Sequence, residues 1–260
     1  SGPTDRDGNS AMLAGKNNSL KMLAQSLATA NIASLRFDKR GIAASAAAGP
    51  KEADLRFENY VDDAAAWVEQ LRHDKRFLTV TIIGHSEGAL IGAIATARTH
   101  PNAFISVAGV GRSAGLLLRE QLNGKLPAQL FQANEIILRE LEAGRTTKDV
   151  PPALQSLYRD SVQPYLISWF KYDPAKVVAL IQEPILICQG TTDIQVAVEE
   201  AEALKKAAPA AKLVTIDGMN HVLKSVPADP VKQTASYTDS ALPINAELMK
   251  NIIEFVPRAK

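Results

Sequence analysis

Thr79-Val80-Thr81-Ile82-Ile83-Gly84-His85-Ser86-Glu87-Gly88-Ala89-Leu90-Ile91-Gly92-Ala93-Ile94-Ala95 is the stretch on which the reading of this chain turns. An apolar, β-branched run enters the pentapeptide G-x-S-x-G, and a run of small and apolar residues leaves it. Strand before and helix after is the context that separates a nucleophile elbow from a chance match. A serine at the tip of so tight a turn has strained backbone angles and crowded neighbours, so residues without a Cβ belong on either side of it. The turn is expected to lift the Ser86 hydroxyl clear of the sheet. It also directs the Glu87 N–H toward the place where an oxyanion would form.

Outward from this segment, short apolar runs alternate with helical patterns. Residues 32–37, 79–83, 103–108, 185–189 and 212–216 read as strands. Residues 19–30, 59–73, 89–99, 196–208 and 246–255 read as helices, the second with Val61, Ala65, Val68 and Leu71 at helical spacing. Several strands are apolar on both faces, as in a parallel sheet covered on each side, and the alternation predicts an α/β fold. Residues 112–173 break the pattern. They offer helical pieces at 113–122, 128–143 (ending at Gly144) and 152–171, and no convincing strand. Asp173-Pro174 then reads as an N-cap followed by proline at the first helical position. The expected organisation is a body of residues 1–111 and 174–260 with a helical lid insertion, 112–173, over the carboxyl ends of the strands, where ligands of open α/β sheets bind. The aromatics of the insertion (Phe131, Tyr158, Tyr165, Trp169, Phe170 and Tyr172) either enclose an apolar acyl group or fasten the insertion to the body.

The bulk numbers exclude more than they assign. With 260 residues, 46% hydrophobic and 22% charged, the chain suits one domain with an inserted subdomain. A formal net charge of +1 gives no electrostatic reason to expect nucleic acid or an anionic membrane. No apolar run approaches the roughly 18–20 residues that span a bilayer. The single cysteine, Cys188, excludes an intramolecular disulfide, is silent on compartment, and reads as a buried inert thiol in a strand. The polar start has neither the charged leader nor the apolar stretch of a signal peptide. Four scattered histidines and one cysteine give no metal-ligand cluster. No dinucleotide fingerprint or P-loop is present, so no cofactor is expected.

A serine nucleophile needs a base, and the base needs an orienting group. His73 ends a charged helix and His100 precedes Pro101, so both read as surface or capping residues. His85 adjoins the serine, but neighbours on a tight elbow point apart, which makes it structural. His221 remains, in the loop Gly218-Met219-Asn220-His221 directly after the last strand. For the acid, Asp193 lies just past the 185–189 strand, whereas its rival Asp217 reads as a turn residue. The order Ser86, Asp193, His221 is that expected of a hydrolase built on such an elbow. The Glu87 N–H is one expected oxyanion donor, and its side chain reads as solvated, the alternative being a carboxylate that disfavours anionic substrates.

Nearly the whole chain resembles the α/β-hydrolase superfamily, and more narrowly bacterial carboxylesterases with an S-G-P-T-D-R-D-G-N loop. Ser1 to Asn9 carries that motif, and the resemblance implies that the second oxyanion N–H comes from Ser1 or Gly2. Asp38-Lys39-Arg40-Gly41 is similar to the family's D-x-R-G turn, for which the resemblance implies an ion and hydrogen-bond network with the first loop. Met219 to Lys224 and Tyr237 to Pro243 resemble the histidine loop and tail. Ala43 stands where relatives usually carry glycine. The resemblance also places a central strand before the loop in which these 260 residues begin, so it implies a sheet without its amino-terminal strands. The implied activity is hydrolysis of short to medium acyl esters through an acyl-enzyme, with a small-molecule ester as partner. The same three residues would equally serve an amidase, a thioesterase or an aminopeptidase. A silent binding protein on the same scaffold is the reading from outside enzymology.

Overall fold

The computed structural model describes residues 2–10 and 15–258. Four strands, β1 (Thr81–His85), β2 (Ala103–Val107), β3 (Ile185–Gly190) and β4 (Lys212–Ile216), form one parallel sheet in the order β1-β2-β3-β4 among the described residues. The helices are α1 (Ser19–Thr29), α2 (Phe57–His73), α3 (Glu87–Thr99), α4 (Ala114–Leu122), α5 (Ala128–Glu142), α6 (Gln155–Tyr158), α7 (Gln163–Phe170), α8 (Pro174–Val178), α9 (Val198–Ala207), α10 (Pro230–Ser236) and α11 (Ala246–Phe255). Period-two alternation in β2 and β3 sorts the core into two layers. Phe104, Ile185 and Ile187 face Ala93 of α3, Val178 of α8 and Ala201 and Leu204 of α9. Ile105, Val107, Leu186 and Cys188 face Leu23 and Leu27 of α1 and Leu248, Met249 and Ile252 of α11. Both faces are thus covered by helices, as the uninterrupted apolar runs of the strands require. α3 is buried along nearly its whole length, against the sheet on one side and α2 and α8 on the other.

Two expected elements are different in the structure. Residues 32–37 form no strand. Among the described residues no backbone hydrogen bond joins 33–37 to another segment, and β1 is paired only along its β2 edge. Ile32, Leu35 and Phe37 suit a strand, but a strand exists only where a neighbour accepts from its N–H groups and donates to its C=O groups. A cavity of about 1110 Å³ lies between these residues and β1, lined also by Leu23, Leu27, Tyr60 and Trp67. The helix expected over 152–171 is broken into a 3₁₀ turn (Pro152–Leu154), α6 and α7. Pro164 lacks the N–H that a continuous helix would need and so sits in the first turn of α7.

Residues 112–173 hold helices and no strand, with a core of their own built from Ile137, Leu138, Leu141, Val150, Leu154, Tyr158 and Leu166. Tyr165, Trp169 and Tyr172 fasten it to the body. Trp169 stacks on Phe57 of α2 at 6.0 Å between centroids, Tyr165 meets Phe57 and Tyr60, and Phe57 N–H donates to Ser168 Oγ at 2.7 Å. Asp173 caps α8 through the Lys176 N–H, and Gly144 ends α5 with φ of 78°.

Candidate active site

Ser86 sits between the end of β1 and the first residue of α3 with φ 56° and ψ −127°, a conformation that L-residues rarely adopt. Its N–H donates to the Val107 carbonyl at 3.0 Å, and its carbonyl accepts from Ala89 N–H at 2.8 Å, so both sides of the strained residue are pinned. A Cβ on Gly84 would overlap the Gly88 carbonyl, which explains glycine at that flank. The turn needs no side-chain cap. α3 simply begins at Glu87, whose N–H meets no acceptor among the described residues. A free N–H at a helix N-terminus is a ready anion site.

The structure brings Ser86, His221 and Asp193 together although the chain separates them widely. His221 Nε2 lies 3.1 Å from Ser86 Oγ, and His221 Nδ1 lies 2.8 Å from Asp193 Oδ2. The side chains of His221 and Asp193 are 7% and 1% exposed, so this relay is shielded from water. Asp193 is held from several directions. Its Oδ1 accepts from Gln195 N–H at 2.8 Å and Val196 N–H at 2.9 Å, and Gln189 Nε2 donates to Oδ2 at 3.3 Å. Burial pushes the Asp193 carboxyl up, but His221 and the Val196 and Gln195 N–H groups outweigh it and hold the group below the ordinary carboxylate range. The histidine loop reaches back over β3 because Gly190 ends that strand. Any Cβ there would run into the Met219 carbonyl. The loop is closed by Asn220 N–H to the Lys224 carbonyl and Lys224 N–H to Asn220 Oδ1.

The other candidates fall where their roles differ. His85 Nε2 is 2.8 Å from the His221 carbonyl, and a carbonyl only accepts, so Nε2 carries the proton. Burial, with His221 close by, lowers His85 to about 3, which keeps it neutral. It therefore braces the His221 loop while staying neutral, a contact that no sequence spacing announces. His73 and His100 are exposed, the latter a left-handed helix cap paired with Glu183. Asp217 accepts from Thr191 Oγ1 at 3.0 Å in a turn. Gly2 lies in the first loop with its carbonyl bound by Thr4 N–H, while Ser1 lies outside the described residues. That loop is tied to the 38–44 turn, since Asp38 accepts from the Arg6 backbone at 2.7 Å, from its guanidinium, and from Ala44 N–H at 3.1 Å. Ala43 has φ of 44°, the left-handed region that favours glycine.

One expectation about the site is corrected. The Glu87 side chain is not solvated. It is 12% exposed, forms an ion pair with Lys39 Nζ at 2.6 Å, and accepts a hydrogen bond from Tyr165 Oη of α7. Helix α3 starts at an elbow whose surroundings come from the 38–44 turn and the insertion, so its first side chain points into protein. Burial raises this carboxyl, yet the charge and hydrogen bond of Lys39 and the hydrogen bond of Tyr165 win and hold it below its ordinary value. Among the described residues no group of three or more His, Cys, Asp or Glu side chains is placed to hold a metal, and no helix is long and apolar enough to cross a membrane.

Comparison with known proteins bears on the family and the fold. A family model, serine aminopeptidase S33, matches residues 14–163. Esterase EstD of Thermotoga maritima is 25% identical over 241 residues, covering 90% of this chain and 56% of its own, so the chain spans just over half the length of that curated relative. Among solved structures, Est1E of Butyrivibrio proteoclasticus with ferulic acid bound superposes with a TM-score of 0.62 at 20% identity, over 96% of this chain and 86% of that one. A thermophilic esterase of Thermogutta terrifontis, solved with malate bound, gives 0.58 at 18% identity, over 98% and 86%. Likeness at such identities establishes the fold. With the family model covering more than half of a chain that carries its serine on a strained strand-to-helix turn, this protein belongs to the serine aminopeptidase S33 family of the α/β-hydrolase superfamily.

Proposed function

We propose that the protein is a serine carboxylic ester hydrolase in which Ser86 is the nucleophile, His221 the general base and Asp193 its orienting acid. The observation that carries this reading is the buried relay of 3.1 Å and 2.8 Å from Ser86 Oγ through His221 to Asp193. In the first half-reaction Ser86 Oγ attacks the ester carbonyl carbon while His221 Nε2 takes the hydroxyl proton. Asp193 accepts from Nδ1–H and stabilises the imidazolium that forms. The tetrahedral oxyanion is received by the Glu87 N–H and by an amide of the Ser1–Gly2 segment. His221 then returns the proton to the departing alcohol. Water, deprotonated by the same imidazole, attacks the acyl-enzyme, releases the carboxylic acid and restores Ser86. One oxyanion donor is typically worth about 10²–10³ in rate, so the first loop matters as much as the elbow.

Residues 112–173 serve in this reading as a lid, and the acyl preference is for short to medium chains. What supports the latter is where the aromatics are used. Tyr165, Trp169 and Tyr172 pack on Phe57 of the body, which leaves them unavailable to line a long apolar channel. The family's name brings in a peptide-bond reading, which differs at the alcohol or amine side of the substrate. An aminopeptidase must pair the substrate's ammonium with a carboxylate, and Glu87, the carboxylate next to Ser86, is already engaged by Lys39. The test is hydrolysis of p-nitrophenyl esters from acetate to decanoate beside aminoacyl-p-nitroanilides, with Ser86→Ala in parallel. Ester turnover that peaks at short chains and vanishes in the variant is expected. Anilide turnover exceeding ester turnover would move the assignment to a peptidase.

A further inference from the structure

The Glu87 carboxylate has no part in the relay, yet two segments distant in the chain bind it. Lys39 comes from the turn whose Asp38 anchors Arg6 of the first loop. Tyr165 comes from α7 of the insertion. Glu87 itself is the first residue of α3, carrying the N–H assigned to the oxyanion. The pair is enclosed by aromatic rings. Lys39 Nζ lies 4.2 Å from the Tyr60 ring centroid, Tyr60 meets Tyr165 edge-on at 6.0 Å, and both members of the ion pair are 12% exposed.

A buried charge pair is a poor device for stability alone, because apolar residues of similar volume commonly do as well or better. What it supplies that apolar contact does not is direction. The carboxylate accepts from two donors on two different segments, which fixes both relative to the elbow. We infer, resting on the assignment of Ser86 as nucleophile, that Glu87 is a positioning residue for the ester hydrolysis. Its carboxylate is the junction that registers the insertion and the first loop against the nucleophile and its oxyanion site. The chain of contacts runs Arg6–Asp38, then Lys39 next along the backbone, then Glu87, then Tyr165. Loss of the junction shifts groups by fractions of an ångström around an intact relay, and displacements of about 1 Å can cost on the order of 10² in rate.

The test separates direction from mere stability. Lys39→Met combined with Glu87→Leu replaces the pair by apolar residues, and Tyr165→Phe removes only the hydroxyl. Each is compared with wild type for melting temperature, for burst titration of reactive serine, and for kcat and KM on p-nitrophenyl butyrate. The expected result is a double variant that melts near wild type and kinetics in which kcat per titrated serine falls at least about tenfold with KM little changed. Tyr165→Phe shows the same split at smaller size, and it decides the question if the double variant does not fold. A kcat within twofold of wild type in a folded double variant, or in Tyr165→Phe, overturns the inference. Ser86→Ala, run alongside, reports separately on the underlying assignment. Activity surviving there would remove the nucleophile itself, whatever Glu87 does.

Discussion

Asp193→Asn is the perturbation whose outcome the geometry specifies most fully. The two backbone donors, Gln195 N–H and Val196 N–H, both bind Oδ1, while His221 Nδ1 and Gln189 Nε2 face Oδ2. An asparagine satisfies the backbone only if its carbonyl oxygen takes the Oδ1 place. Its NH₂ then faces His221 Nδ1. A donor in that position forces Nδ1 to accept, so the proton moves to Nε2, and Nε2 can no longer accept the Ser86 proton across 3.1 Å. The histidine is held in place and in the wrong tautomer. Such a change costs about 10⁴ in kcat where a triad of this kind operates. At 1.36 kcal/mol per tenfold, that is about 5 kcal/mol of transition-state stabilisation. The assay is p-nitrophenyl acetate hydrolysis at neutral pH on protein whose fold is verified by circular dichroism. A fall in kcat of about three to four orders of magnitude with little change in KM is expected. A fall of less than tenfold in folded protein would refute the assignment of Asp193 as the orienting group.

Other expectations concern stability and reactivity. Asp38 is held below the ordinary carboxylate range by the hydrogen bond from Arg6, against the opposing effect of burial. The folded state therefore binds fewer protons than the unfolded one, and this stabilisation is present above about pH 4 and lost as pH falls through the folded value. Asp38→Asn should lower the melting temperature at pH 7 and flatten its decline in acid, and an unchanged acid slope would count against it. Ala43→Gly relieves a left-handed conformation at φ 44° that costs an L-residue about 1–2 kcal/mol, offset in part by glycine's greater unfolded freedom of about 0.5–1 kcal/mol. The net expectation is a rise of about 1–3 °C by calorimetry, and a fall would contradict it. Burial pushes the Cys188 thiol up to about 12. A disulfide reagent at pH 8 should therefore label native protein no faster than it unfolds, which a reaction complete within seconds would disprove.

The sequence made legible whatever is local and periodic. β4 runs over the residues expected of it, β1, β2 and β3 differ by a residue or two at their ends, and the elbow stands where G-x-S-x-G placed it. The order of Ser86, Asp193 and His221 sufficed to select the three residues that meet in space, because each follows the carboxyl end of a strand and parallel strands bring those ends together. What escaped depended on partners distant in the chain. The 32–37 run has the composition of a strand, but pairing is a property of neighbours and none is present among the described residues. Pro164 was visible as a breaker, yet the apolar pattern around it masked the division of 152–171 into separate turns. Nothing in the sequence marked the meeting of Glu87 with Lys39 and Tyr165, 48 and 78 positions away. Charge at a helix N-terminus is ordinarily solvated, and only the packing of the insertion turned it into a buried junction.

The central claim is that Ser86 is an activated nucleophile. Its most direct test is a fluorophosphonate probe followed by mass spectrometry of the digested protein. The account predicts stoichiometric label on the Ser86 peptide of wild-type protein, none in Ser86→Ala, and labelling slowed by orders of magnitude in His221→Ala. Label on another serine, or wild-type protein that is folded and unreactive, would contradict it.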